Sequence, residues 1–126
     1  MTRVSLLTVV ETPSFLRDAK KLLDYEERET LVNYLSATPY AGDLIKGTGG
    51  IRKIRWMREG AGKRGAYRVI YFFHSAEIPL FMLNIFEKSE KTSIDQAERN
   101  ELKQLTGMLI KQYKSKRIIN EWKTNH

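Results

Sequence analysis

The sequence predicts an α+β fold: an antiparallel-dominated sheet with helices on one face, in the order β-α-α-β-β-β-α. Three observations carry that expectation. The strand-like runs Ile51–Met57, Tyr67–Phe73 and Leu80–Phe86 follow one another too closely for crossover helices, so they must be antiparallel neighbours. Apolar residues recur at helical spacing both before and after them. The 126 residues, 41% of them hydrophobic, suffice for one core, and no repeat or low-complexity linker divides the chain.

Each element has its own signal. Val4–Val10 is β-branched and aliphatic and ends at Glu11-Thr12-Pro13, a short strand running into a helix. Thr12 suits the N-cap, and Pro13 suits the first helical position, where its missing N–H costs nothing. Phe15, Leu16, Ala19, Leu22 and Leu23 then line one helical face. A second helix, from about Tyr25 to Ser36, turns Leu31, Val32 and Leu35 inward and carries Glu26, Glu27 and Glu29 near its positive end. Pro39 stops it, and a turn-rich loop from Thr38 to Gly50 leads to the strands. After Lys88 the pattern returns to helix. Ser93 and Gln96 have the spacing of a capping box, Leu102, Leu105 and Leu109 form an inward stripe, and the pattern continues past Gly107 towards Trp122. The expectation is a single domain, 1–126, with a basic helical extension at about 107–126. The run Lys111–Arg117 with Ile118, Ile119 and Trp122 reads as a solvated amphipathic helix end, or as a surface a partner protein covers.

Composition narrows the function classes. With no cysteine, the chain has no disulfide, thiolate metal site or cysteine nucleophile, and nothing in it calls for a metal or cofactor. No apolar run approaches the roughly 20 residues of a spanning helix, which suggests a soluble cytoplasmic protein without membrane association. The 22 basic residues outnumber the 15 acidic ones for a formal charge of +7, pointing to a polyanion or an acidic protein as partner. Eight cations lie between Lys46 and Arg68, against Glu59 as the one acid there, so the middle of the chain is its electropositive part.

The glycines Gly60, Gly62 and Gly65 suggest a phosphate-binding loop, but the chemistry fails. Such a loop needs Ser or Thr after its Lys and a helix to follow. Here Lys63 precedes Arg64 and Gly65, and a strand follows. The glycines read instead as a hairpin loop with cations at its tip.

Alternation through Ile51–Met57 places Arg52, Ile54 and Trp56 on one strand face and Lys53 and Arg55 on the other. If Ile54 and Trp56 face the helices, the two cations project from the uncovered side. In the next strand Arg68 shares a face with Ile70, Phe72 and His74, opposite Tyr67, Val69, Tyr71 and Phe73, and can join Lys53 and Arg55. Two readings remain open for that face: a solvated surface whose cations discourage edge pairing, or an RNA site in which arginines meet phosphates and rings meet bases.

The motifs Gly49–Trp56, Gly60–Gly65, Tyr67–Tyr71 and Leu83–Lys88 with Glu90-Lys91 resemble the RelE superfamily of type II toxins, in its HigB-like branch. The resemblance spans about Val9 to Leu105 and is most specific from Gly62 to Tyr71. It implies a microbial ribonuclease-type fold and an endoribonuclease that cuts mRNA in the ribosomal A site without a metal, held in check by a cognate antitoxin of helix-turn-helix type. By position, the catalytic cations fall on Lys53, Arg55, Arg68 and Lys88. The resemblance assigns phosphorane stabilisation to Arg55 and Arg68, proton removal to Lys53 and leaving-group protonation to Lys88. Arg52, Arg58, Lys63, Arg64 and Lys91 would bind substrate or ribosomal RNA. Ser89 and Thr92 stand near where best-known members carry an arginine, histidine or tyrosine. The competing expectation is a non-cleaving member of the same fold, a ParE-like gyrase poison or an RNA-binding module, against which the cluster of Lys53, Arg55 and Arg68 argues.

Overall fold

The structure, a computed structural model, describes residues 7–57, 66–87 and 94–125. Its elements are β1 (Val9–Glu11), α1 (Pro13–Leu22), α2 (Tyr25–Ala37), β2 (Asp43–Leu44), β3 (Ile51–Met57), β4 (Ala66–Phe72), β5 (Leu80–Glu87) and α3 (Gln96–Asn125). The α+β class holds. The order gains one strand, because Asp43–Leu44 pairs with Arg52 and Lys53 at the edge of the sheet.

The strands form a single sheet ordered β1-β5-β4-β3-β2. All neighbours are antiparallel except β1 and β5, which run parallel. Thr12 secures that parallel corner. Its hydroxyl donates to the Met82 carbonyl at 2.7 Å and accepts the Phe15 amide at 3.2 Å, so one side chain caps α1 and ties it to β5. Asp24 and Glu27 form a reciprocal capping box at the start of α2, at 2.7 and 3.2 Å.

The helices do not share one face. From α1 and α2, Phe15, Ala19, Leu23, Leu31 and Leu35 pack with Tyr67, Val69, Tyr71 and Met82. From α3, Leu102, Leu109, Ile110 and Tyr113 cover the second cluster, which includes Ile51, Ile70, Phe72 and Phe81. Register partners lie on one side of a sheet, so Ile51 opposite Phe72 and Ile54 opposite Val69 assign the two clusters to opposite faces. The expectation of helices on one face is corrected accordingly. Its cause is visible in β4, where every residue except Arg68 is buried, as a strand covered on both sides requires.

Two details of α3 also differ from expectation. Its N-cap pairing joins Asp95 to the Glu98 amide at 2.8 Å, so the box sits two residues after the expected Ser93, which lies outside the described residues. Thr106, not Leu105, is fully inward. It is 1% exposed, and its hydroxyl donates to the Thr48 carbonyl at 2.9 Å, whereas Leu105 is 37% exposed. No helix among the described residues is long and apolar enough to cross a membrane.

Candidate functional site

The strand parity read from sequence places Ile54 and Trp56 against the α1–α2 core. Trp56 meets α2, with the Tyr34 ring 5.5 Å away. The intervening residues Lys53 and Arg55 therefore point to the other side, and both are exposed. On β4, Arg68 is the register partner of Arg55, and Ile70 is the partner of Lys53. Three cations thus issue from neighbouring positions on two paired strands. Strands hold such a cluster more firmly than loops.

No ion pair joins Lys53, Arg55 or Arg68 to a described carboxylate; the described salt bridges are Arg17–Asp18 and Arg28–Glu11. Like charges directly opposite on a sheet destabilise it by roughly 0.2–1 kcal/mol. An uncompensated pair fixed on a rigid ladder is suited to an anion that supplies the missing charge, and phosphate oxygens accept bidentately from guanidinium.

The same face covers only part of this cluster. α3 lies over Ile70, Phe72 and Phe81, with Phe86 packed against the same cluster, while Arg55 is exposed and Arg68 half-buried, so the less covered area is where Arg55 and Arg68 pair. There β5 adds an aromatic. The β4–β5 register shifts between Ile70 and Tyr71: Ile70 faces Asn84 while Tyr71 faces Met82, which leaves Leu83 as an extra residue. Such a bulge reverses the alternation that follows it. Phe86, which strict alternation from Phe81 would turn to the α1–α2 side, instead faces Arg68 across the ladder. Arg55, Arg68 and Phe86 form one cross-strand row. Nothing in the uniformly apolar run Leu80–Phe86 marks Phe86 beforehand except the lone polar Asn84 beside the bulge.

Arg52 lies on the opposite face. Its Nη1 donates to the Gly42 carbonyl at 2.7 Å, and its guanidinium sits 5.1 Å over the Tyr40 ring, bracing the loop before β2. The same loop is held from beneath by Tyr71, whose buried hydroxyl accepts the Gly42 amide and donates to the Pro39 carbonyl, both at 2.8 Å. Burial raises the Tyr71 phenol above its ordinary pKa, with the Gly42 hydrogen bond opposing. His74 stacks on Phe72 at 6.4 Å, at the end of β4 away from Arg68. Arg58, Lys63, Arg64, Lys88 and Lys91 lie outside the described residues, as do Ser89, Thr92 and the loop from Gly60 to Gly65. Ala66–Phe72 after that loop is a strand, where a nucleotide loop would open a helix. Among the described residues no group of three His, Asp or Glu side chains is placed to hold a metal ion.

A family model described as the RelE toxin of the RelE/RelB toxin–antitoxin system matches residues 9–124. Among solved structures, an arginine-to-alanine double mutant of Escherichia coli toxin RelE in the free state matches with a TM-score of 0.51 at 18% identity, covering 69% of this chain and 88% of that chain. At that identity the likeness is one of fold.

Proposed function

The chain belongs to the RelE toxin family of RelE/RelB toxin–antitoxin systems, and from that premise we propose that it is a cytoplasmic, ribosome-dependent endoribonuclease of the HigB-like branch. The observation that carries the reading is the opposition of Arg55 and Arg68, with Lys53 on the same face and no described carboxylate paired to any of them.

The chemistry these residues suit is internal transesterification of RNA. The ribose 2′-oxygen loses its proton to a base, for which Lys53 is the candidate, and forms a bond to the adjacent phosphorus. The bond from phosphorus to the 5′-oxygen breaks, and that oxygen takes a proton, for which Lys88 is the candidate. The products are a 2′,3′-cyclic phosphate and a free 5′-hydroxyl. Arg55 and Arg68 stabilise the charge that develops on the non-bridging oxygens, a contribution of the kind that costs about 10²–10³ in rate when one donor is lost. Arg58, Lys63, Arg64 and Lys91 supply further contacts to messenger or ribosomal RNA, and Arg52 shapes the neighbouring loop. A cognate antitoxin of helix-turn-helix type would bind this basic protein and hold it inactive.

The test is to induce the chain and its Arg68→Ala variant in translating cells and map messenger 5′ ends. Cuts within translated codons, absent from the variant, are expected. Uninterrupted translation at full expression, or DNA damage without messenger cuts, overturns the reading.

A further inference from the structure

A cleft of about 570 Å³ opens between the β5 side of the sheet and the first half of α3, within the roughly 300–1,000 Å³ of small-molecule sites. Ile70, Asn84 and Phe86 line it from the sheet, and Leu102, Leu105 and Glu101 from α3. Asp18 and Glu98 bring two further carboxylates. Both are engaged, Asp18 with Arg17 at 3.5 Å and Glu98 with the Asp95 amide at 3.5 Å. Glu101 is exposed, and its side chain makes no hydrogen bond or ion pair with a described residue. Asn84 is oriented by its Nδ2, which donates to Ser14 Oγ at 3.1 Å.

We propose that this cleft receives a nucleobase of the substrate RNA beside the scissile phosphate, with Phe86 stacking on its face and Glu101 accepting from its edge. The inference rests on the ribonuclease reading above. Arg55, Arg68 and Phe86 form one row, and strands are about 4.8 Å apart. A phosphate held between the arginines therefore has an aromatic face one strand further on, where the cleft lies. Charge sorts the nucleotide the same way. Carboxylates around the cleft repel phosphate, so the backbone stays over the cations and the uncharged base enters. Base–aromatic stacking tolerates any sequence, whereas an ionised Glu101 only accepts. Adenine, cytosine and guanine offer an amino group to it. Uracil offers one ring N–H flanked by two carbonyl oxygens, so the cleft disfavours uracil.

The test uses the full chain with ribosomes programmed with messages that differ in one base beside the cut. It also uses the free protein titrated with AMP, CMP, GMP and UMP while the Asn84 side-chain amide is followed by NMR. The wild type should cut messages with an amino-bearing base at one position about tenfold faster than those with uracil, the scale of one good base contact. Glu101→Gln, whose amide both donates and accepts, should narrow that ratio to about twofold. Phe86→Leu should slow all four alike. Equal cutting with every base, or a preference unchanged in Glu101→Gln, overturns the cleft and leaves the ribonuclease reading standing. If no message is cut, the ribonuclease reading falls, and with it the substrate-RNA role of the cleft. AMP shifting Asn84 no more than UMP does would overturn the base preference even where messages are cut.

Discussion

Arg55 and Arg68 are register partners across β3 and β4, two guanidinium side chains set opposite one another on the open end of a sheet. Like-charge opposition costs about 0.2–1 kcal/mol, so relieving it should stabilise the fold. Arg55→Thr, a strand-compatible change at an exposed position, is expected to raise Tm by about 1–4 °C while cutting RNA about 10²–10³ times more slowly. Thermal melts and cleavage assays read the two effects side by side. A lower Tm with full activity would contradict both.

The Tyr71 hydroxyl bridges Gly42 and Pro39 inside the core. Removing it in Tyr71→Phe leaves a buried amide and carbonyl short of a partner, at a cost of about 1–3 kcal/mol near neutral pH. Because the folded pKa is raised above the unfolded value of about 10, the contribution is fully present below that value and is lost as pH rises through the folded pKa. Urea melts of the two proteins from pH 7 upwards should converge above pH 10. A gap that stays constant would show that the phenol does not titrate with unfolding.

Thr106 and the glycine turn interlock. Gly49 has φ +78°, and a Cβ there would sit 2.6 Å from Thr106 Oγ1, the oxygen that donates to the Thr48 carbonyl. Thr106→Val keeps the shape and removes the donor. The expected loss is about 1–3 kcal/mol, accompanied by faster amide exchange at Ile51, whose N–H is held by Thr48 Oγ1 at 3.1 Å. An unchanged denaturation midpoint would show that the turn does not depend on α3.

Gly107 sits inside α3, and a Cβ there would meet nothing within 4 Å. Gly107→Ala should therefore stabilise the chain by about 0.5–1 kcal/mol through helix propensity alone. A rise in Tm without a change in cleavage is the expected result, and a fall would reveal a need for flexibility at that point.

Local chemistry was readable in the sequence where one residue type sufficed. Thr12 before Pro13 marked a helix start that the structure shows, and parity separated Lys53 and Arg55 from Ile54 and Trp56 because β3 is covered on one side only at that end. Where two faces are covered, parity carries little polar mark: β4 and the run Leu80–Phe86 of β5 are apolar apart from Arg68 and Asn84. The bulge at Leu83 and the second helix layer were therefore invisible. The two-residue strand Asp43–Leu44 was also missed, because it is defined by pairing with β3 and not by its own composition. Arg52 shows the same limit. Its spacing placed it correctly with Ile54, but only the fold brings Gly42 and Tyr40 to it.

The parallel seam between β1 and β5 has a consequence for synthesis. Thr12 bonds to Met82 across 70 residues of chain, and β5 lies inside the sheet, with β4 on one side and β1 on the other. Among the described strands β1 must wait for β5, so the sheet cannot close until translation has passed Glu87. Such long-range closure slows folding. In a protein proposed to attack translating ribosomes, it also keeps each nascent copy unassembled until β5 has been made.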